Sequence, residues 1–253
     1  MKKKLVIKIG TSTLTLGTDK ISRGKIEDIA RQIVILKDKY DLILVSSGAI
    51  AIAKQFISIN GWNAGIESKQ AMSAIGQPIL MQIYNEVFSD FGINTAQCLM
   101  THRDFENSTS QKNTLATINE LLQHDYIPII NENDTIATEE IIFGDNDKLS
   151  ALVATLIDAD ILILATDTDG LFDKNPHTNN DAKLINEVTS LDKVEKFVED
   201  SGSKLGTGGM KTKLQAAKIC KQKNIEMWIV NAKNNNFLIN ALAGKIVFTK
   251  FKL

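Results

Sequence analysis

The sequence has few of the residues that build disulfide frameworks, metal sites and rigid linkers. Among its 253 residues are two cysteines, three histidines and three prolines. Cys98 and Cys220 lie far apart in apolar surroundings, and no C-x-x-C pair occurs. This excludes a thiolate or imidazole zinc site and predicts two buried, reduced thiols. Because no linker-like segment or internal repeat divides the chain, we expect one continuous domain over residues 1–253.

The sequence also lacks an excess of either charge and a long apolar run. Lys and Arg total 29 against 30 for Asp and Glu, so no global field favours nucleic acid or an anionic membrane. No segment approaches the roughly 18 apolar residues of a membrane span. The basic residues at Lys2–Lys4 precede a run that is too short, and interrupted by Lys8, for a signal peptide. We therefore expect a cytoplasmic protein with neither a nucleic-acid partner nor a membrane partner.

Short apolar, β-branched runs alternate with helical patterns along the chain. The runs are Leu5–Ile7, Leu42–Val45, Ile127–Ile130, Ile161–Leu164 and Met227–Val230, and the helical patterns lie near 22–39, 68–90, 110–124, 146–158 and 211–223. Continuous apolar runs are typical of strands that are covered on both faces. Their alternation with helices predicts an α/β protein with a mostly parallel, open central sheet between helices. Residues 136–144 predict a hairpin or flap.

Polar and glycine-rich turns follow the first two strands, where an open parallel sheet binds its ligands. Lys8 precedes a Gly10 turn that carries two hydroxyl groups. A solvated edge lysine is an alternative interpretation of about equal weight. Ser46, Ser47 and Gly48 lead into an apolar helix, so free N–H groups there could hold a carboxylate or phosphate. A serine N-cap without a ligand explains that turn equally well.

Two clusters of acidic and amide side chains occur in the middle of the chain. Asn131 to Thr135 follows the third run, and Gly144 to Lys148 precedes a helix. Turn chemistry explains the first cluster by itself, and complementarity with the helix dipole explains the second. Two such clusters opposite two lysine-bearing glycine turns favour a shared polar pocket.

A glycine-rich loop at 206–213, GTGGMKTK, runs directly into a helical pattern. Three glycines allow close backbone approach, the helix start adds positive charge, and two lysines follow, so the loop predicts a phosphate cradle. The alternative is a flexible surface loop with solvated lysines. Neither G-x-x-x-x-G-K-[ST] nor G-x-G-x-x-G occurs. Ala165 to Phe172 follows the fourth run, and we interpret it as a turn that receives a nucleotide.

Seven segments together resemble the glutamate 5-kinase branch of the amino acid kinase superfamily, in collinear order over essentially the whole chain. The segments are KIGTS (8–12), VSSGAIA (45–51), SKQAMSAIGQ (68–77), PIINENDTIAT (128–138), GDNDKLSALVA (144–154), ATDTDGLF (165–172) and GTGGMKTKLQAA (206–217). The resemblance implies a three-layer αβα sandwich. Its N-terminal part would hold an amino acid, and its C-terminal part, from about residue 160, would hold the nucleotide.

The activity that this resemblance implies is phosphorylation of the L-glutamate side-chain carboxylate by Mg-ATP, the first step of proline biosynthesis. It also implies a homodimer or homotetramer, feedback inhibition by proline, and glutamyl phosphate reductase as a possible partner. Many bacterial members carry a C-terminal PUA domain, which we expect this chain to lack. The alternatives are another acid kinase of the superfamily, such as an acetylglutamate or aspartate kinase, and a catalytically silent nucleotide or amino-acid sensor.

Site residues are carried over from the resemblance by position. Lys8 and Lys213 would flank the phosphoryl group in transit, and Asp147 would hold both lysines. The residues implied for glutamate are Ser47, Gly48, Asp134 and Asn146. Those implied for ATP are Lys8, Thr166, Asp167, Thr207, Gly208, Gly209, Met210, Lys211, Thr212 and Lys213. No side chain is assigned to the metal, and Lys211 departs from the small residue expected at its position.

Overall fold

The computed structural model of the protein describes residues 2–58, 62, 65–137, 146–174, 176, 178–192, 194 and 209–252. The strands in this part are β1 Lys3–Ile9, β2 Tyr40–Ser46, β3 Asn94–Met100, β4 Tyr126–Glu132, β5 Ile161–Thr166, β6 Leu171–Phe172, β7 Leu184–Ile185, β8 Glu187–Val188, β9 Glu226–Asn231 and β10 Thr249–Phe251. The helices are α1 Thr11–Thr15, α2 Arg23–Leu36, α3 Ala49–Phe56, α4 Ile66–Asp90, α5 Ser108–Gln123, α6 Asp147–Leu156, α7 Met210–Lys221 and α8 Phe237–Leu242, with a 3₁₀ turn at His102–Phe105.

The large sheet of the described part has eight strands in the order β3-β4-β2-β1-β5-β9-β10-β8. Neighbours from β3 to β9 are all parallel, whereas β10 runs antiparallel to β9. β6 and β7 form a separate antiparallel pair. The prediction of a mostly parallel central sheet is therefore confirmed. β1 lies at its centre, and the carboxyl ends of β1, β2, β4, β5 and β9 point to one edge.

Alternate residues of the central strands face two helical layers, as the strand repeat requires. Leu5, Ile7 and Ile9 pack with one layer, to which α2, α4 and α8 contribute. Val6 faces the opposite layer, which contains α5, α6 and α7. Because both faces of the sheet are covered, the inner strands consist almost entirely of apolar residues. The predicted αβα sandwich follows from this arrangement.

Most predicted elements are present, and the differences lie at the edges of the sheet. The five apolar runs form β1, β2, β4, β5 and β9. The last strand, β10, begins at Thr249, directly after the apolar residues 246–248, which form no strand. Residues 138–144 of the predicted flap lie outside the described residues. Cys220 is buried as expected, but Cys98, on the edge strand β3, is only partly buried.

The longest helix, α4, spans 25 residues and contains Pro78. It packs along α3 and also contacts α2 and β3. Within the residues that the structure describes, no helix is both long and apolar enough to cross a membrane.

Candidate active site

Strand alternation directs Lys8 toward the layer of α6 and α7. Lys8 has the same parity as Val6, which packs with that layer. α6 lies against β1, and α7 packs on α6. A lysine on the central strand therefore points at the first turn of one helix, close to the start of another.

Two lysines meet one carboxylate at this point. The Nζ atom of Lys8 lies 2.7 Å from Oδ1 of Asp147, and the Nζ atom of Lys213 lies 2.9 Å from Oδ2. The Asp147 side chain is fully buried, while those of Lys8 and Lys213 are 9% and 15% exposed. The hydroxyl of Thr212 also donates to Oδ2 at 3.2 Å. The lysines of the first strand and of the glycine loop thus share one anion.

The electrostatics of Asp147 are set by burial and by these two cations. Burial raises the pKa of this carboxyl, but the ammonium groups of Lys8 and Lys213 outweigh that effect and hold the pKa well below its usual range. Asp147 is therefore ionised throughout the physiological pH range. It is the first residue of α6, where the helix dipole also favours a negative charge.

Next to this cluster, Asn146 joins the ends of two strands. Its Nδ2 donates to the Ser46 carbonyl at 2.7 Å and to Asn131 Oδ1 at 2.8 Å. It also lies 3.2 Å from the Ser47 hydroxyl. Asn131 in turn donates to Gln77 Oε1 at 2.8 Å. The amide network places Ser47 and Asn146 side by side at the edge where β2 and β4 end.

Gly48 forms the start of α3 in a conformation that favours glycine, with φ of 109°. Among the described residues, no side chain caps this helix, so the N–H groups of its first turn can bind a ligand. The serine N-cap alternative is therefore wrong, because the capping position belongs to Gly48.

Asp134 lies beyond the end of β4, where its Oδ2 accepts a 2.6 Å hydrogen bond from Ser73 of α4. Burial raises the pKa of this carboxyl, the Ser73 hydrogen bond opposes that effect, and the nearby Glu132 raises the pKa further. A carboxylate in such surroundings is stabilised by a cation, and an ammonium group would supply one.

Of the predicted nucleotide residues, Thr166 is the last residue of β5 and Asp167 follows it. Thr166 is buried and donates to the Thr168 carbonyl at 2.9 Å, while Asp167 is exposed. Asn231 Nδ2 donates to Asp169 Oδ1 at 2.8 Å and joins the two strand ends. Gly209 is the N-cap of α7, and no described side chain caps that helix either. The strand ends and the uncapped start of α7 both leave backbone groups at the edge of the sheet.

Not every predicted residue can be placed. Thr207 and Gly208 lie outside the described residues, while Gly209 to Lys213 form the N-cap and first turn of α7. Lys211 points to solvent, and of the two loop lysines it is Lys213 that reaches Asp147. The structure thus brings Lys8, Asp147 and Lys213 together and places Ser47, Gly48 and Asn146 beside them.

Gln77 and Ser73 were not predicted as site residues, and Asn131 was predicted only as part of the Asn131 to Thr135 cluster. Asn131 directly follows a buried run, which is a signal for a strand-end ligand. Gln77 and Ser73 lie four residues apart in an apolar helix. Their helical spacing could have indicated polar side chains on one packed face. A helix face exposed to solvent shows the same pattern, so the spacing alone does not identify a site.

Comparison with known proteins identifies the class. Residues 3–231 match the amino acid kinase family. The chain is 45% identical over 250 residues to the glutamate 5-kinase of Caldanaerobacter subterraneus subsp. tengcongensis, covering 98% of this chain and 67% of that protein. It is 42% identical over 248 residues to the glutamate 5-kinase of Bacillus anthracis, covering 96% of this chain and 67% of the relative.

Two solved structures share the fold. UMP kinase from Ureaplasma parvum superposes with a TM-score of 0.72 at 20% identity, covering 100% of both chains. Carbamate kinase from Giardia lamblia, bound to AMP-PNP, gives a TM-score of 0.71 at 17% identity and covers 99% of this chain and 98% of its own. The chain therefore belongs to the amino acid kinase family. Its similarity to glutamate 5-kinases, predicted from the seven segments, is confirmed by the curated relatives.

Proposed function

We propose that this protein transfers the γ-phosphoryl group of ATP to the side-chain carboxylate of L-glutamate, which yields L-glutamyl 5-phosphate for proline biosynthesis. The observation that carries the proposal is the buried Asp147 with Lys8 and Lys213 on its two oxygens, in a chain that is 45% identical to a glutamate 5-kinase. The cluster lies between the strand ends expected to hold the amino acid and those expected to hold the nucleotide.

The residues suit phosphoryl transfer by charge stabilisation. Negative charge spreads over the equatorial oxygens of the transferred group, so positioned cations lower the barrier. Lys8 and Lys213 are two such cations, and Asp147 holds both in place. The acceptor carboxylate is already ionised at neutral pH and needs no general base. No covalent enzyme nucleophile is required either.

Glutamate recognition is assigned to the end of the sheet formed by β2 and β4. Asp134 pairs with the α-ammonium group, whose charge compensates the desolvated carboxylate. The N–H groups that follow Gly48 at the start of α3 bind the α-carboxylate. Ser47 and Asn146, whose Oγ and Nδ2 atoms lie 3.2 Å apart, orient the substrate between Asp134 and the start of α3.

The nucleotide is assigned to Thr166, Asp167 and the loop at 207–213, of which the start of α7 offers uncapped N–H groups. Both oxygens of Asp147 are already paired with lysines. Magnesium is assigned to the Mg-ATP substrate, in which phosphate oxygens and water hold it.

The decisive experiment measures ADP release with L-glutamate, N-acetylglutamate, aspartate and carbamate under identical conditions. We expect turnover that depends on L-glutamate. Turnover with another acid of the panel would establish a different acid kinase of the family. ATP binding without turnover on any acid would establish a sensor.

Proline, a second copy of the chain and glutamyl phosphate reductase are the further partners proposed. Proline shares the α-ammonium and α-carboxylate of glutamate, so it is expected to occupy the pocket lined by Ser47, Asp134 and Asn146. Inhibition by proline should then be relieved by excess glutamate. Inhibition that does not change with the glutamate concentration would indicate a separate site.

A further inference from the structure

Helix α4 carries polar side chains along one face that is otherwise packed against the protein. Gln70, Ser73, Gln77 and Tyr84 follow one another at spacings of three, four and seven residues. Such spacings place side chains on the same face of a helix. Ser73 and Gln77 are buried, and Tyr84 is fully enclosed. Buried polar groups of this kind are retained when they have partners.

Each of these side chains reaches a residue at a strand end of the amino-acid site. Ser73 Oγ donates to Asp134 at 2.6 Å, and the hydroxyl of Tyr84 lies 3.0 Å from Ser46 Oγ. Gln70 Nε2 donates to the carbonyl oxygen of Thr135 at 3.4 Å.

Gln77 belongs to the same series. It accepts from Asn131, which accepts from Asn146 in turn. The partners of the four side chains all lie at or after the ends of β2 and β4, so one helix face supports the whole amino-acid end of the site.

The backbone of α4 also locates the start of α3. A Cβ atom on Gly76 would lie 1.8 Å from the carbonyl oxygen of Ala49, so the two helices are in direct backbone contact. Ala49 is the first residue of α3, whose N–H groups are assigned to the α-carboxylate. The helix that holds Asp134 thus also fixes the opposite end of the substrate pocket.

Among these contacts, that of Ser73 concerns a charge. Asp134 is desolvated and lies near the acidic Glu132, and both effects raise its pKa, whereas the Ser73 hydroxyl is a donor that stabilises the ionised form. The hydrogen bond occupies Oδ2. The second oxygen, Oδ1, is then the atom oriented to accept from a ligand cation.

We propose that Ser73 is a positioning residue of the acceptor site, whose hydroxyl orients the Asp134 carboxylate for the α-ammonium group of the substrate. This inference rests on the proposed function in its identification of that ligand. Ser73 contacts no reacting atom in this scheme and acts through Asp134. It therefore selects substrates that carry a positive charge beside the α-carboxylate.

The test compares Ser73→Ala with Ser89→Ala, Asp134→Asn and the double variant Ser73→Ala/Asp134→Asn, by steady-state kinetics with L-glutamate and ATP. Ser89 is the matched control because it lies on the same helix, is exposed and donates to the backbone of its own helix at Glu86. Alanine has the higher helix propensity, so Ser73→Ala is expected to fold, and its melting temperature is measured alongside.

Ser73→Ala should raise the KM for glutamate about tenfold, as expected for the loss of a hydrogen bond to a charged group. Its kcat and its KM for ATP should stay near those of the wild type, and Ser89→Ala should change none of the three. In the Asp134→Asn background, the Ser73 substitution should have little further effect on the KM for glutamate, because the carboxylate that Ser73 orients is already absent.

An unchanged KM in Ser73→Ala, beside a raised KM in Asp134→Asn, would overturn the inference and leave the proposed function intact. Additive effects in the double variant would overturn it as well. If Asp134→Asn itself leaves the KM unchanged, Asp134 is not a substrate ligand and the inference fails with it. If the wild type uses aspartate instead, the proposed function fails, and the coupling between Ser73 and Asp134 measured with aspartate still decides the inference, because aspartate carries the same α-ammonium group. Use of an acid without that group would overturn both.

Discussion

At the scale of single residues, the described part of the site's centre joins two ammonium groups, those of Lys8 and Lys213, to one buried carboxylate, Asp147. In the proposed reaction, the two lysines stabilise the charge of the phosphoryl group as it passes between acceptor and nucleotide. Because Asp147 is fully buried and doubly paired, the lysines are oriented before the substrates arrive, and little reorganisation is needed during the reaction.

Replacement of either lysine should therefore impair chemistry more than binding. Lys8→Ala and Lys213→Ala are each expected to lower kcat by about a hundredfold to a thousandfold, with a smaller change in the KM for glutamate, because their charge is needed most in the transition state. ADP release measured under saturating substrates tests this. Lys211→Ala provides the comparison from the same loop, since its side chain is exposed. Full turnover in Lys213→Ala beside its loss in Lys211→Ala would contradict the assignment.

The two carboxyls of the site should separate in their pH dependence. The pKa of Asp147 is held below its usual range, so its stabilising charge is present above the ordinary carboxyl pKa near 3.9 and is lost only as pH falls further. The pKa of Asp134 is raised by burial and by Glu132, so its ionised form, to which the ammonium group is assigned, is lost at a higher pH. As pH falls, the KM for glutamate should rise before kcat declines.

This expectation is checked by pH profiles of kcat and KM for the wild type and for Asp134→Asn. The side chain of glutamate titrates in the same region, but it does so equally for both enzymes. The variant should have a raised KM at neutral pH and should lack the part of the acid dependence that belongs to Asp134. Identical pH profiles for the KM in the two enzymes would exclude Asp134 as the titrating group.

At the scale of secondary-structure elements, the contact between α3 and α4 is the tightest constraint on the amino-acid site. Glycine at position 76 lets the two backbones touch, because any side chain there would meet the Ala49 carbonyl group. The start of α3 cannot move away from α4 without a change in the position of the N–H groups that follow Gly48. Packing between the two helices thereby fixes the N–H groups to which the substrate carboxylate is assigned.

Gly76→Ala should accordingly destabilise the protein by about 1–3 kcal/mol, the cost of overpacking a filled interior, and should raise the KM for glutamate. Urea unfolding and steady-state kinetics measure the two effects. Gly24→Ala in α2 is the matched control, because a Cβ there meets only a serine oxygen at 3.9 Å. That change should leave stability equal or slightly higher, as expected for alanine in a helix. Equal stability in Gly76→Ala would show that the helices separate at little cost.

At the scale of the whole molecule, the first and last parts of the chain are joined by a buried polar network. Lys25 Nζ lies 3.1 Å from Asp28 Oδ2 and donates to the carbonyl oxygen of Asn234 at 3.0 Å. Asp28 Oδ1 accepts from the N–H of Asn236 at 3.0 Å. Gln32 accepts from the N–H of Leu238 at 2.7 Å. α2 is thus tied to the segment that follows β9, on the nucleotide side of the sheet.

Loss of the central anion of this network should destabilise the fold strongly. Asp28→Ala leaves the buried Lys25 ammonium without its carboxylate, and breaking a buried ion pair in this way costs about 3–5 kcal/mol. The free energy of unfolding in urea measures the loss. Arg31→Ala removes a half-exposed partner 3.7 Å from the same carboxylate and should cost less than about 1 kcal/mol. A similar loss of unfolding free energy in Asp28→Ala and Arg31→Ala would show that the buried ion pair with Lys25 does not cause the destabilisation.

The sequence predicted the inner sheet because strands covered on both faces are apolar at every position, and this pattern is visible without any contact. It did not predict β3, because this edge strand, Asn94–Met100, is exposed along one side and carries polar residues like a loop. It did not predict β10 either, because a strand of three residues, Thr249–Phe251, is too short to show a periodic pattern. The strand ends were predictable as well, because each apolar run marks where its strand stops. Lys8, Ser47 and Thr166 lie at the ends of apolar runs, and parallel strands end at one edge.

Which of these groups meet was decided by the tertiary structure, and the contact of Asp147 with Lys8 and Lys213 was expected beforehand only through the family resemblance. Asp147 and Lys213 are 66 residues apart, and their contact depends on the packing of α6 against α7, for which the sequence holds no local signal. The position of Ser73 is a similar case, because a serine in an apolar helix looks the same whether it bonds to its own backbone or to Asp134. The sequence by itself determined the inner strands of the sheet, the edge at which their carboxyl ends lie and the residue types there. Long-range packing determined the pairing of charges, since an ion pair is set by distances that arise only when distant helices are brought together.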